Sequence, residues 1–355
     1  MMTIHRLFFL LIAMLFVQVL ITAQDNQEPI HAHFRAESER QIPLDLEDMA
    51  DQGKEFVANF SYQPQWNGKQ VFVRIPGTHL PYTLHINDFR FGSDPGSREV
   101  AVFNLTPFLK EGTNRLRLHF PEADSDGSAV PCLFYGDPLL VVRDAIHVRD
   151  HDITVYHSPE STEVLVRFHV FVKSYLSEKN KGRELEIRVT GPEGDQVVSE
   201  SRALDFPLAF GQETEMVFDR TLDNPVIWST AAPSLYTTSI RISERKEGSS
   251  ESITSTFGIR TAYLSDSLLI QNGDSIPVIH AGESLVDSLY CLPDEEIRDL
   301  VAERDFNAIH TGDPLPYRLV DLLGKHGVIV IRKTGRMDPQ SGRTLINCPS
   351  VVWTE

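Results

Sequence analysis

Two side chains stand where a strand could deliver them to a ligand: His310, and Asp313 three residues later. An imidazole exchanges protons near neutral pH, and a carboxylate accepts hydrogen bonds from a hydroxylated ligand. Both follow a stretch, 306–310, that reads as a strand in a βα pattern, and functional groups in such folds collect at the C-terminal strand ends. A solvated loop would account for the same two residues, so both readings stay open. Trp228 could be a platform for a sugar ring, although a Trp in a β-sandwich belongs more often to the core. Cys132, Cys291 and Cys348 lack metal-ligand spacing and read as buried free thiols. The acidic run opening at Asp294 fits a helix first turn complementing its own dipole. No catalytic residue, metal ligand or cofactor motif is assigned.

The elements that must position these residues fall into three stretches. From residue 55 to about 157, strands at 56–62, 70–75, 82–86, 100–104, 115–120 and 139–143 alternate with turns at Asn67-Gly68, Asp94-Pro95-Gly96 and Glu111-Gly112. This is a β-sandwich pattern, assigned to 24–157. Strands at 163–173, 184–189, 213–218, 236–243 and 252–257 suggest a second, immunoglobulin-like sandwich over 158–262. The period then changes. Strand 275–280, helix 293–304, strand 306–310, helix 317–326 and strand 328–332 predict the start of a parallel sheet or barrel in 263–355. A complete (β/α)8 barrel takes roughly 250 residues.

A chain of 355 residues implies several cores. Residues 1–23 read as a secretory signal: His5 and Arg6 precede an apolar run from Leu7 to Ile21, and Ile21-Thr22-Ala23 offers a small-residue cleavage site. Export to the periplasm, cell surface or medium is expected, with no membrane association after cleavage. The formal charge of −17 excludes the basic footprint that nucleic acid requires, while a neutral carbohydrate partner is compatible. Asn59-Phe60-Ser61 and Asn104-Leu105-Thr106 match the glycosylation triplet.

Local stretches in order along the chain carry a resemblance. Phe103-Asn104-Leu105-Thr106-Pro107-Phe108-Leu109-Lys110-Glu111-Gly112-Thr113-Asn114-Arg115-Leu116 resembles "D-(I/V)-T-x-x-L-K-x-G-x-N-x-L", and Leu84-His85-Ile86-Asn87 the "xxxNG" strand end. Asn224-Pro225-Val226-Ile227-Trp228-Ser229 with Pro233-Ser234-Leu235-Tyr236 is similar to "P-x-L-W-S-P-x-x-P-x-L-Y". Phe257-Gly258-Ile259-Arg260 matches "F-G-(F/I)-R", and Gln271-Asn272-Gly273 resembles "L-N-G-K". Asp305-Phe306-Asn307-Ala308-Ile309, Leu322-Leu323-Gly324-Lys325-His326-Gly327-Val328 and Asn347-Cys348-Pro349-Ser350-Val351-Val352-Trp353 resemble "N-F-N-A-(V/I)", "C-D-x-x-G-(L/I)" and "N-H-P-S-(V/I)-x-x-W". These belong to family 2 glycoside hydrolases, the β-galactosidase, β-glucuronidase and β-mannosidase group. The resemblance implies a jelly-roll sugar-binding-type sandwich, an immunoglobulin-like sandwich and the N-terminal part of a (β/α)8 barrel.

It also implies a retaining mechanism, with an acid/base and a nucleophile about 5 Å apart, carried on the fourth and seventh barrel strands. The family's "W-S-x-x-N-E" stands here as Trp353-Thr354-Glu355, so Glu355 is a neighbour of the motif rather than its glutamate. Upstream, "N-R-H-E" falls on Gly282-Glu283-Ser284-Leu285, and "V-R-(T/C)-S-H-Y-P" becomes Ile309-His310-Thr311-Gly312-Asp313-Pro314. "D-E" becomes Arg332-Lys333, which would place positive charge in the pocket, and Val130 to Tyr135 replace an acidic loop. The expectation is a β-galactosidase-like protein without the catalytic carboxylates, inactive alone. Two alternatives are a truncated or split part of an active β-glycosidase and a non-catalytic carbohydrate-binding or scaffold protein. Unpaired strand edges of an incomplete barrel would favour self-association.

Overall fold

A computed structural model describes residues 35–36, 41–48, 55–94, 96, 100–120, 132–158, 160–176, 182–204, 208, 210–244, 250–265, 268–312, 315, 317–333 and 348–354. The leader read at 1–23 lies outside them, as does Asp313. Among the described residues no helix is long and apolar enough to cross a membrane.

The chain is mainly β. Strands Gln41–Pro43, Leu139–Arg143, Gln70–Ile75 and Ala101–Asn104 form one antiparallel sheet in that order. Glu47–Asp48, Glu55–Ser61, Thr113–His119, Tyr82–Ile86 and Phe89–Asp94 form a second. Period-two alternation drives their packing. In Thr113–His119, Leu116 and Leu118 are buried while Arg115 and His119 face water. The two sheets share a core of Val71, Val73, Ile75, Leu84, Leu116 and Leu140. Phe72 and Val141 point the other way, into the core of the next sandwich, so the first sheet is covered on both faces. Asn87, at φ 52°, closes its hairpin by donating Nδ2 to the Phe108 carbonyl at 3.1 Å and to Asn114 Oδ1 at 3.0 Å. Of the two glycosylation triplets, Asn104 is buried and donates Nδ2 to Gln70 Oε1 at 3.0 Å, so it is not an acceptor in the folded chain.

The next pair of sheets comprises Ile146–Tyr156, Glu163–Ser174 and Glu213–Asp223 on one side. On the other side stand Arg35–Ala36, Ser250–Phe257, Tyr236–Glu244, Arg183–Thr190 and Gln196–Ala203. Glu163–Ser174 is apolar at every second position, and Val164, Val166, Phe168, Val170 and Val172 meet Leu185, Ile187 and Ile240 in the core. Ile146–Tyr156, which the strand pattern left with the first stretch, pairs along its length with Glu163–Ser174.

Beyond it, Ala262–Ser265, Leu268–Gln271 and Asp274–Pro277 make an antiparallel meander. Strands Ala308–Thr311, Ile329–Lys333 and Val351–Thr354 are parallel, and His280 bridges to Ala308 in the same sense. Helices Glu283–Leu289, Asp294–Ala302 and Tyr317–Lys325 lie between the strands in sequence. The expected strand 275–280 is therefore two pieces, one in the meander and one beside the parallel sheet. Helix Glu283–Leu289 was not anticipated.

Joints between the second sandwich and the parallel sheet use the motif residues. Trp228 is fully buried, as a core reading expects, but it packs with Leu269, Ala308, Ile329 and Val352 rather than inside the sandwich, and donates Nε1–H to the Gly324 carbonyl at 3.1 Å. Arg260 donates to the Pro349 and Val351 carbonyls, and Asn272 Nδ2 to the Trp228 carbonyl at 3.0 Å. Asn307 accepts from the Ile279 N–H at 2.7 Å and donates to the Pro277 carbonyl at 2.8 Å.

Gly327 sits at φ 71° against Thr230, where an added Cβ would overlap the Thr230 carbonyl oxygen. Gly327→Ala is expected to destabilise the protein by more than ~1 kcal/mol, read as a lowered urea midpoint with an unchanged slope.

Candidate functional site at the parallel strand ends

The parallel strands are short runs rich in β-branched residues, the composition of strands buried on both faces. Alternation divides them. Ile309, Val330 and Val351 pack with Ile297, Val301, Leu319 and Leu323 of the helices. Ala308, Ile329, Ile331 and Val352 belong to the opposite face, with Trp228 and Val278. His310 follows Ala308 by two residues and His280 follows Val278 by two, so both share that second face. Their rings lie 6.0 Å apart at 56°, and both are exposed. In the next two strands the backbone of Lys333 is registered with that of Thr354. The side chains described at this end of the face are thus two histidines.

Arg332 corrects an expectation. It follows Val330 on the helix-facing side and is buried, so it does not contribute charge to the face of His310. His280 was missed, because residue 280 was read only as the end of a strand. Its spacing from Val278 was the available signal. Asp313, expected beside His310, lies outside the described residues.

One link between the first sandwich and the βα units is covalent. Cys132, in the loop before Leu139–Arg143, is disulfide-bonded to Cys291, which follows helix Glu283–Leu289. This corrects the expectation of free thiols at both positions; Cys348 lies outside the disulfide and is buried. A separation of 159 residues hides such a pair from spacing rules, although an exported chain permits it. The loop is held further by Tyr135, whose ring lies 5.2 Å from that of Tyr290 and whose hydroxyl is 3.3 Å from His79 Nδ1. Across the seam Arg318 donates to Asp294 Oδ1 at 2.7 Å and to the Tyr290 carbonyl at 3.1 Å. Burial, and then the charge of Arg318, lower the pKa of the Arg74 guanidinium. The acidic first turn, Asp294 with Glu295 and Glu296, is structural as expected, with Asp294 as the partner of Arg318. Among the described residues no His/Cys/Asp/Glu cluster has the arrangement of a metal site.

Two antiparallel sandwiches leading into parallel βα units define a mainly β protein with several cores. The family model described as glycosyl hydrolases family 2 matches residues 146–260. A β-galactosidase of Yersinia enterocolitica is 26% identical over 297 residues, covering 76% of this chain and 28% of the relative. A β-galactosidase of Yersinia pestis strain Angola is 25% identical over 301 residues, again 28% of its length. Among solved structures, a Bacteroides uniformis β-glucuronidase superposes with a TM-score of 0.70 at 19% identity, over 85% of this chain and 41% of its own. A putative β-galactosidase from Bacteroides fragilis gives 0.68 at 16% identity, over 84% and 50%. The family match over residues 146–260, these relatives and the shared fold together support a divergent member of glycosyl hydrolase family 2, and the chain spans about 28% of the length of these curated relatives.

A non-reducing peptide map is expected to show Cys132 and Cys291 in one cross-linked peptide, with Cys348 alkylated only after unfolding. Cys132→Ser should cost roughly 2–4 kcal/mol of stability, an effect that thiol reduction of the wild type reproduces.

Proposed function

We propose that this stretch of sequence is the non-catalytic front of a β-galactosidase-like family 2 protein acting in carbohydrate metabolism. In this reading a jelly-roll sandwich (24–157), an immunoglobulin-like sandwich (158–262) and the first strands of a (β/α)8 barrel (263–355) form an exported product directed by residues 1–23. The supporting observation is the face that carries His310. Retaining hydrolysis needs two carboxyl groups about 5 Å apart, and the strand-end side chains described on this face are His280 and His310. Imidazoles can hydrogen-bond sugar hydroxyls but do not form a glycosyl ester. His310 and Asp313 are assigned as sugar-contacting groups, with no cofactor.

The disulfide adds to this reading. In the relatives' motif pattern an acidic loop from the first sandwich precedes the barrel; here Cys132 to Tyr135 tie that loop to Cys291 and Tyr290. The stretch Val130 to Tyr135 itself holds no carboxylate.

The test is release of nitrophenol from β-galactoside, β-glucuronide, β-mannoside and β-glucoside by the purified chain. The expected result is no rate above the buffer blank on any of the four. Turnover that Glu355→Gln abolishes would contradict the reading, because it would place a working carboxyl at the fourth strand.

A further inference from the structure

A second surface, away from the strand ends, has the chemistry of a ligand site. Two clefts of about 420 and 590 Å³ share His157 and Ser161 and so form one groove. Both fall within the ~300–1,000 Å³ of small-molecule sites. The groove crosses the outer side of the sheet containing Glu163–Ser174, where Leu165 lies opposite Thr221. It then passes the turn at Ser161 to reach Asn224 and the tip of the meander at Asp274.

Its walls are fixed. Strand pairing holds Tyr156 against Leu165, and the Asn224 N–H donates to the Thr162 carbonyl at 2.7 Å, with Asn224 at φ 46°. Tyr156 is 50% exposed, and Arg167 lies over its ring at 5.7 Å, so one face of the ring is occupied by the cation. His157 presents a buried Nδ1 with no hydrogen-bond partner among the described residues. A buried polar atom left unpaired costs roughly 1–3 kcal/mol, and a ligand hydroxyl would supply the partner. Burial also lowers the pKa of this imidazole, so it is neutral at pH 7 and can accept or donate.

We propose that this groove is a second carbohydrate site, one for an uncharged oligosaccharide, with Tyr156 packing against a sugar ring and His157 bonding a hydroxyl. The charged groups lining it, Glu163 and Asp274, are carboxylates. They accept hydrogen bonds from sugar hydroxyls and repel an acidic saccharide. The proposal goes beyond the reading of the barrel, because none of the strand-end residues takes part.

Isothermal titration of the full chain with neutral β-linked tetrasaccharides of galactose, mannose and glucose tests it, with tetragalacturonate as the anionic counterpart. At least one neutral tetrasaccharide should bind. Tyr156→Ala and His157→Ala should each weaken that binding at least tenfold, Tyr156→Phe should retain it, and tetragalacturonate should not bind. Thermal melts of the variants confirm folding. No binding of any neutral probe overturns the proposal, as does binding that neither alanine variant weakens. Loss of binding in His310→Ala but not in Tyr156→Ala would also overturn it, moving the sugar to the barrel and leaving the proposed function intact.

Discussion

The arrangement depends on one part-buried cation. Arg260, at the exit of the second sandwich, inserts its guanidinium under the parallel sheet and donates to the carbonyls of Pro349 and Val351. Removing a charge from water is costly unless hydrogen bonds replace those lost. Here burial lowers the guanidinium pKa to about 10, so it remains charged at neutral pH and the bonds stay charge-assisted. Beside it Trp228 fills the base of the sheet, and Gly258 leaves no room for a side chain between Trp228 and Pro349. The orientation of the strand ends, and of His280 and His310 with them, follows from this joint.

This explains which features the amino-acid sequence displays openly. Asn87, Asn114, Trp228, Arg260, Asn272 and Asn307 all lie in the stretches that carry the family resemblance, and each makes a hydrogen bond that fixes a turn or a seam. Such residues cannot change without leaving a buried polar group unpaired. Strands with clean alternation, such as Glu163–Ser174 and Tyr82–Ile86, were legible for a related reason: one face of each must be apolar. Several strands were not, three long ones among them. Ile146–Tyr156 buries His147, Asp150 and His151 at its centre, which breaks the alternation. Gln196–Ala203 is an edge strand with mostly exposed polar residues, and Phe89–Asp94 is interrupted by Gly92.

The candidate site was legible only in part. His310 could be placed from its strand, and the helix pattern around it was correct. His280 needed knowledge that Val278 faces the same core, and the Arg332 side needed the register of Ala308–Thr311 against Ile329–Lys333. The Cys132–Cys291 bond joins segments that no local pattern connects. The groove at His157 combines the end of one strand, two turns and a hairpin tip, so it exists only after the second sandwich meets the meander.

The most direct test of this account is amide hydrogen exchange in Arg260→Gln. If the guanidinium fixes the joint, protection should fall across Ala308–Thr311 and Ile329–Lys333, while Glu163–Ser174 and Arg183–Thr190 keep wild-type protection. Unchanged protection in the parallel strands would contradict it and show that the sheet holds its place without the part-buried cation.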